Sequence, residues 1–455
     1  MPRLWWATEK AKDNANARMD EKMTLTERLL ALWDHLGIAR AHVATSMSGD
    51  VAGLAAAAPG RIASLTLCVP SRLDPAPFAA VAARMLTIAG TQGMAAAVTS
   101  RAEARLPGSV RVVLRDYDAP GWADAVSDRT EEIVGAMTGF LSRFQASVPA
   151  QQQGTFEGIG YRMSGTGPAL VLMPFFLAPT QWEAAIPALS KEFTVIVLGG
   201  RHLGGVAALE DRALAPSYRG MVRTLLDTMA PEAGEKILDV GCGSGALDRM
   251  LAERYGSANP ITATDLNPFL LREAAVLASE DGVIGMIDFR QANAEALPFP
   301  DASFGCAFTV TVLEECDADL ALRELLRVVR PGGRVGVIVR AVDMPQWWHL
   351  DLPEPLRASV EIPPQSVGAK GVADASLYRR MKAAGFGTVT CFPSLVTLDR
   401  PDGPIWRYRE DHVLSGLSPE DTGIWHAATG ATRADGLLFM AHPMHCAVGT
   451  KNAAR

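Results

Sequence analysis

Lys236-Ile-Leu-Asp-Val-Gly-Cys-Gly-Ser-Gly-Ala246 is the stretch whose reading sets the fold. Ile237 to Val240 is a short apolar run of strand type, and Gly241, Gly243 and Gly245 form a turn with almost no side-chain bulk. Leu247 to Tyr255 follows with helical spacing. Strand, glycine turn and helix bring backbone N–H groups and a helix N-terminus to one place, where a nucleotide-like ligand can lie against the main chain. Asp239 and Asp265 can supply carboxylates for an amino group or a ribose. The spacing Gly241-x-Gly243-x-x-Ala246, with Asp265 about 20 residues on, formally meets the dinucleotide fingerprint. The glycines alone therefore leave two cofactor classes open, beside a purely structural turn.

Three further features favour S-adenosylmethionine (SAM) over NAD. Asp239 lies two residues before the first glycine, where an acid can take the methionine amino group. Asn293-Ala-Glu-Ala-Leu-Pro-Phe-Pro-Asp-Ala-Ser-Phe304 follows a third strand signal, and Leu326-Arg-Val-Val-Arg-Pro-Gly-Gly-Arg334 precedes a fifth. Over about Ser217 to Lys451 the chain resembles class I SAM-dependent methyltransferases, in particular the small-molecule group of the ubiquinone/menaquinone-biosynthesis C-methyltransferases. The resemblance implies an α/β, Rossmann-like fold with a seven-stranded sheet. It implies that Asp239, Gly241, Gly243 and Gly245 hold the methionine end, Asp265 the ribose, and Leu266 one face of the adenine. Asn293 and Ala294 read the adenine, and Thr309 faces the methyl group. Asn293 stands where the family has Asp, Gly305 replaces a common Asp, and Glu314-Glu315 replaces Glu-His. The last change puts in doubt any base role for that histidine.

Beyond Arg340 the sequence departs from the family. Met344-Pro-Gln-Trp-Trp-His-Leu350 puts two tryptophans and a histidine after the fifth strand, on the face where acceptors bind in this fold. An apolar or aromatic acceptor bounded by Trp347, Trp348, Trp406, Tyr408 and Trp425 is one reading, and a packing cluster is the other. His349 is the candidate catalytic base. His442 and His445, three apart in a last strand over Gly436 to Val448, face opposite sides of the sheet, so no metal pair is expected.

The first half reads differently. Thr24 to Leu36 has helical spacing, Ala41 to Thr45 is a strand, Val51 to Ala58 a small-residue helix and Ile62 to Val69 a strand. This resembles the centre of an α/β-hydrolase, with Ala44-Thr-Ser46-Met-Ser48 at the nucleophile elbow, where both glycine positions hold other small residues. Residues 72–108 read as helical, a lid remnant, with a strand over Arg111 to Leu114 and a helix over Asp128 to Phe144. Asp116, Asp118, Asp124 and Asp128 are available acids, but no histidine falls between His42 and His202. Ile159 to Pro174 and Phe193 to Arg201 then resemble the opening strands of the same fold, after its later part. At the oxyanion loop Pro174-Phe175 replaces His-Gly, and proline has no N–H to donate. One permuted domain and two partial copies both fit. The expected organisation is a leader (1–23), a hydrolase-like segment (24–147), a linker (148–156), a second hydrolase-like segment (157–210) and a methyltransferase domain (211–455).

A chain of 455 residues supports two or three domains. A net charge of −7 gives no electrostatic footprint for nucleic acid, and no apolar run reaches the ~18 residues of a membrane span. Met1-Pro-Arg-Leu-Trp-Trp-Ala lacks the apolar core of a secretory signal, and the six cysteines are scattered without Cys-x-x-Cys. These features lead us to expect a cytoplasmic protein with reduced thiols and no metal. The function expected is methyl transfer from SAM to a small acceptor, with a silent hydrolase-like region that serves as scaffold, partner surface or self-association surface. A bifunctional enzyme with a living hydrolase half and a non-catalytic SAM-binding regulator are the alternatives.

Overall fold

The computed structural model describes residues 23–117, 124–150, 152–401 and 403–452. The leader, apart from Met23, and Asp118 lie outside them. The chain divides into two compact units, the first ending at Gly205 and the second starting at Val206.

The first unit holds one sheet built from β1 (Ala41–Thr45), β2 (Ile62–Cys68), β3 (Met85–Gly90), β4 (Val110–Leu114), β5 (Gly154–Phe156), β6 (Ile159–Ser164), β7 (Ala169–Leu172) and β8 (Thr194–Gly199). Their order is β4-β3-β2-β1-β7-β8-β6-β5. The two sequence segments thus share a single sheet, joined where His42 of β1 pairs with Leu170 of β7. Neighbours run parallel except at β5–β6 and β6–β8. Every residue of β1, β2 and β3 is buried, because helices cover both faces of a parallel sheet. Residues 72–108, expected to be helical, contain β3. Met-Leu-Thr-Ile-Ala-Gly is one continuous apolar run, which periodicity cannot tell from a buried helix. A strand, β5, also lies inside the expected linker. Helix Leu25–His35 begins with a capping box of Thr24 and Glu27 and buries Leu29, Leu32 and Trp33.

The second unit is built on β9 (Ile237–Val240), β10 (Ile261–Asp265), β11 (Ile287–Gln291), β12 (Phe304–Val310), β13 (Val329–Arg340), β14 (Trp347–Trp348), β15 (Val389–Leu398) and β16 (Met440–Thr450). The order is β11-β10-β9-β12-β13-β16-β14, with β15 also paired to β16. The expectation of seven strands is corrected to eight. β13 pairs with β16 only as far as Met444, and the two-residue β14 continues along that edge opposite Met440 and Ala441. From β9 the chain first runs outward to β11 and then returns to β12 on the other side. The crevice past the ends of β9 and β12 is therefore the topological switch point, where open α/β sheets bind ligands.

Among the described residues no helix is long and apolar enough to cross a membrane. No group of three His, Cys, Asp or Glu side chains among them could hold a metal.

Candidate functional site

Past β9 the three glycines all have left-handed backbone: Gly241 at φ 86°, Gly243 at 58° and Gly245 at 72°. Gly245 caps helix Ala246–Tyr255. A Cβ on Gly241 would stand 2.1 Å from Val312 Cγ2, on the turn that follows β12. The amides of Gly241 and Cys242 both donate to the Thr264 carbonyl, at 2.7 and 2.8 Å. The Gly243 amide donates to Asp265 Oδ2 at 2.9 Å, and Asn267 N donates to Oδ1 at 2.9 Å. An ionised carboxylate has four acceptor positions, so Asp265 can still accept from hydroxyls.

Leu266, next to Asp265, leaves 62% of its surface exposed, a bare apolar side chain at the strand end. Asn293 lies at the end of the neighbouring β11, with Oδ1 accepting from Glu295 N at 2.9 Å in a tight turn, and Ala294 is half-buried beside it. The Ala292 amide donates to the Asp265 carbonyl at 3.0 Å, so Asp265, Leu266, Asn293 and Ala294 gather at one edge of the crevice. Thr309 is the residue expected to face the methyl group. It is fully buried inside β12, and its hydroxyl donates to the Val240 carbonyl at 2.7 Å, tying β12 to β9.

His349 is placed by β14. Its ring stacks on Phe439 at 4.9 Å, and Nδ1 is 2.8 Å from the Leu437 carbonyl. Among the described residues its ring hydrogen-bonds Leu437 and not a residue of the glycine crevice. The indoles of Trp348, Trp406 and Trp425 pack edge to face, at 5.4 and 5.0 Å from Trp348, and all three are buried. These three form a core rather than a pocket wall, whereas Trp347 and Tyr408 are exposed. His442 is buried in β16 and His445 is paired to Asp343 at 2.8 Å, so the two histidines do part company.

Several functional groups escaped the sequence reading. Asp248, three residues into the helix, is fully buried and faces Asp239, itself 2% exposed. Burial first, then the neighbouring Asp248 carboxyl, pushes Asp239 well above the usual carboxylate range. Burial pushes Asp248 to about 7. Burial thus favours the neutral form of both carboxyls in the ligand-free fold. Ser244 Oγ donates to Glu210 Oε1, and Arg249 donates both to Glu210 and, at 2.8 Å, to the Ser244 carbonyl. Past β12, Thr311 has φ 57°, costly for a β-branched residue and a sign of a constrained site. Glu314, 1% exposed, takes the Arg340 amide on Oε1 at 2.8 Å, and burial raises it to about 7. An acid in the first turn of a helix reads as helix-dipole complement in any sequence, which hides Asp248.

These residues fit SAM. The glycine turn is a cradle that any Cβ would crowd, and a buried acid pair faces the place expected for an ammonium. The pair also fixes a sign. Folded-state values raised above 3.8 mean that the ligand-free fold holds protons that the unfolded chain has lost, so stability falls as pH rises from about 4 to about 7. A cationic amino group favours the ionised pair, so SAM affinity rises over the same window. Thermal unfolding and calorimetry across that window should show both slopes in wild type and flatter ones in Asp248→Asn. Parallel profiles in the two proteins would dismiss the pair.

Residues 238–337 match the methyltransferase domain family. The ubiquinone/menaquinone biosynthesis C-methyltransferase UbiE of Hahella chejuensis is 38% identical over 154 residues, 34% of this chain and 62% of that protein. The chain thus spans under two thirds of that relative. The same enzyme of Serratia proteamaculans is 30% identical over 197 residues, 38% of this chain and 75% of the relative. Among solved structures, geranyl diphosphate C-methyltransferase from Streptomyces coelicolor A3(2), in complex with S-adenosyl-L-homocysteine, is 18% identical. Its TM-score is 0.31, over 50% of this chain and 78% of that one.

Proposed function

We propose that this chain, which belongs to the family of the ubiquinone/menaquinone biosynthesis C-methyltransferases and takes SAM as its cofactor, methylates a small acceptor held past the ends of β12 and β13. The observation that carries the reading is the left-handed glycine cradle at the switch point, closed by the Asp239–Asp248 pair. Asp239, Asp248 and the glycine amides would hold the methionine end, Asp265 the ribose, and Leu266, Asn293 and Ala294 the adenine. Bound there, SAM supplies an electrophilic methyl on a sulfonium. The chain's own task is to hold the acceptor in line and keep water out. Glu314, near-neutral in pKa and next to the strained turn, is better placed than His349 to take a proton from an acidic acceptor. Incubating the protein and cell extract with methyl-labelled SAM tests this. Labelled product is expected, and SAM binding without any product would favour a regulator instead.

For the first unit we propose one permuted hydrolase-like domain without hydrolase activity, acting as scaffold or partner surface. Counting from β5 to β8 and then β1 to β4, the strands cross the sheet in sequence order save for one exchange, β7 with β8, which supports one domain over two copies. Ser46 is 3% exposed and its Oγ donates to the Val69 carbonyl at 3.2 Å. The backbone of Ser46 is not in the left-handed region. His42 lies within β1, fully buried with Nδ1 2.9 Å from Ser64 Oγ, and burial lowers it to about 4. The amides of Phe176, Leu177 and Ala178 converge on Gln181 Oε1 at 3.2, 2.8 and 3.2 Å, so an internal carbonyl takes the place an oxyanion would need. A fluorophosphonate probe should leave Ser46 unlabelled. Stoichiometric labelling that disappears in Ser46→Ala would make the protein bifunctional.

A further inference from the structure

The methionine end of SAM carries an ammonium and a carboxylate on one carbon. The buried Asp239–Asp248 pair answers the first of them. The glycine turn offers little to the second. The amides of Gly241 and Cys242 already donate to Thr264 and that of Gly243 to Asp265, which leaves a ligand a shared bond at most. A carboxylate held beside two acids needs a cation of its own.

Helix Gly204–Leu214 brings one. Within the second unit, its last turns reach three parts of the crevice wall. Leu209 Cδ1 would stand 3.2 Å from a Cβ on Gly243, Glu210 receives Ser244 Oγ, and Arg212 Nη1 donates to Thr311 Oγ1 at 3.3 Å. Thr311 is the strained residue one step past β12, on the turn whose Val312 bounds Gly241. Arg212 and Thr311, like Gly241 and Gly243, are half-buried, so the place they surround reaches solvent. Glu210 is paired with Arg249, and Glu314 lies 3.7 Å from Arg340 Nε. Arg212 instead bonds a neutral hydroxyl, and its Nε is buried without a hydrogen-bond partner. Its guanidinium lies 5.0 Å from the centre of the Tyr218 ring, on helix Pro216–Met229. The Tyr218 hydroxyl is buried and has no hydrogen-bond partner either. Burial raises its pKa, so it stays a donor, and it lies within electrostatic reach of Arg212, Asp239 and Glu314.

We propose that Arg212, backed by the Tyr218 hydroxyl, receives the carboxylate of SAM, so that the crevice meets a zwitterion with opposite charges. The assignment rests on the SAM reading and names the residues that make the site demand an intact amino acid. A guanidinium fork matches a planar carboxylate by two parallel hydrogen bonds, and a phenol adds a third donor. Without that carboxylate, buried donors stay unsatisfied, which is how a polar site rejects a ligand that lacks one group.

The test uses the whole protein and two probes, S-adenosylhomocysteine and its decarboxylated analogue, which keeps the adenosine, the thioether and the amine. By calorimetry, wild type should bind S-adenosylhomocysteine on the order of tenfold to a hundredfold more tightly than the analogue. Arg212→Gln should erase that margin by weakening S-adenosylhomocysteine alone. Arg212→Lys should restore part of it, and Tyr218→Phe should lose a smaller share. Unchanged affinity for the analogue shows that the variants fold and keep their adenosine and amine contacts. If Arg212→Gln does not fold, Arg212→Lys and Tyr218→Phe carry the comparison. A wild type that binds both probes alike, or substitutions that weaken both probes equally or neither, would overturn the carboxylate seat and leave the cofactor reading standing. A wild type that binds neither probe removes the cofactor reading and the seat with it.

Discussion

Gly241→Ala is expected to weaken SAM binding by roughly a hundredfold or more, about 2.8 kcal/mol. The new Cβ would lie 2.1 Å from Val312 Cγ2, and a β-branched side chain cannot swing aside. An alanine at φ 86° adds about 1–2 kcal/mol of backbone cost. Either the glycine turn or the turn after β12 has to move, and both bound the crevice. Gly285→Ala is the matched control, since nothing lies within 4 Å of its added Cβ and its φ is ordinary. Calorimetry on both variants, with unfolding curves to show that they fold, decides it. SAM affinity in Gly241→Ala equal to that of wild type would remove the cradle from the mechanism.

The second large effect belongs to Arg249. Its guanidinium neutralises Glu210, holds the Ser244 carbonyl at 2.8 Å and reaches Asp281 at 2.8 Å, with both Arg249 and Glu210 under a tenth exposed. Arg249→Met leaves Glu210 buried without its partner, and a loss of roughly 3–5 kcal/mol in unfolding free energy is expected. Because Ser244 sits between the second and third glycines, SAM affinity should fall as well. The double change Glu210→Gln with Arg249→Met should recover part of the loss, since it removes the stranded charge. Denaturant unfolding gives the numbers, and a cost below about 1 kcal/mol would mean that the pair contributes as little as a surface ion pair.

What the sequence made legible follows from how local each signal is. The glycine turn is written into consecutive residues, because each left-handed φ demands its own glycine, so β9, the turn and the helix could be read directly. Asp265 and Leu266 came with it, since a strand end is local too. Asp248 and Glu210 were not legible, because their meaning lies in what faces them after folding. Trp348, Trp406 and Trp425 read equally as pocket or core, and only their mutual edge-to-face packing decides. β3 was lost to a helix because both of its faces are covered, which erases the alternation that marks a half-exposed strand. β14 could not be read at all. Two residues acquire strand geometry solely because β16 outruns β13.

The order of strands in the first unit also bears on how the chain is made. β1 is complete by Thr45, yet its second neighbour, β7, begins only at Ala169. Until the ribosome has delivered that later segment, β1 is an edge with a row of unpaired N–H and C=O groups and five residues meant for the interior. Such an edge is a template for pairing with other nascent chains, and the long wait between partners slows closure of the sheet. A fragment ending near residue 147 should therefore aggregate when expressed alone, and supplying residues 148–205 in trans should restore solubility. A sheet whose central strands are so far apart in sequence would then carry a cost at the stage of synthesis that no inspection of the finished fold reveals.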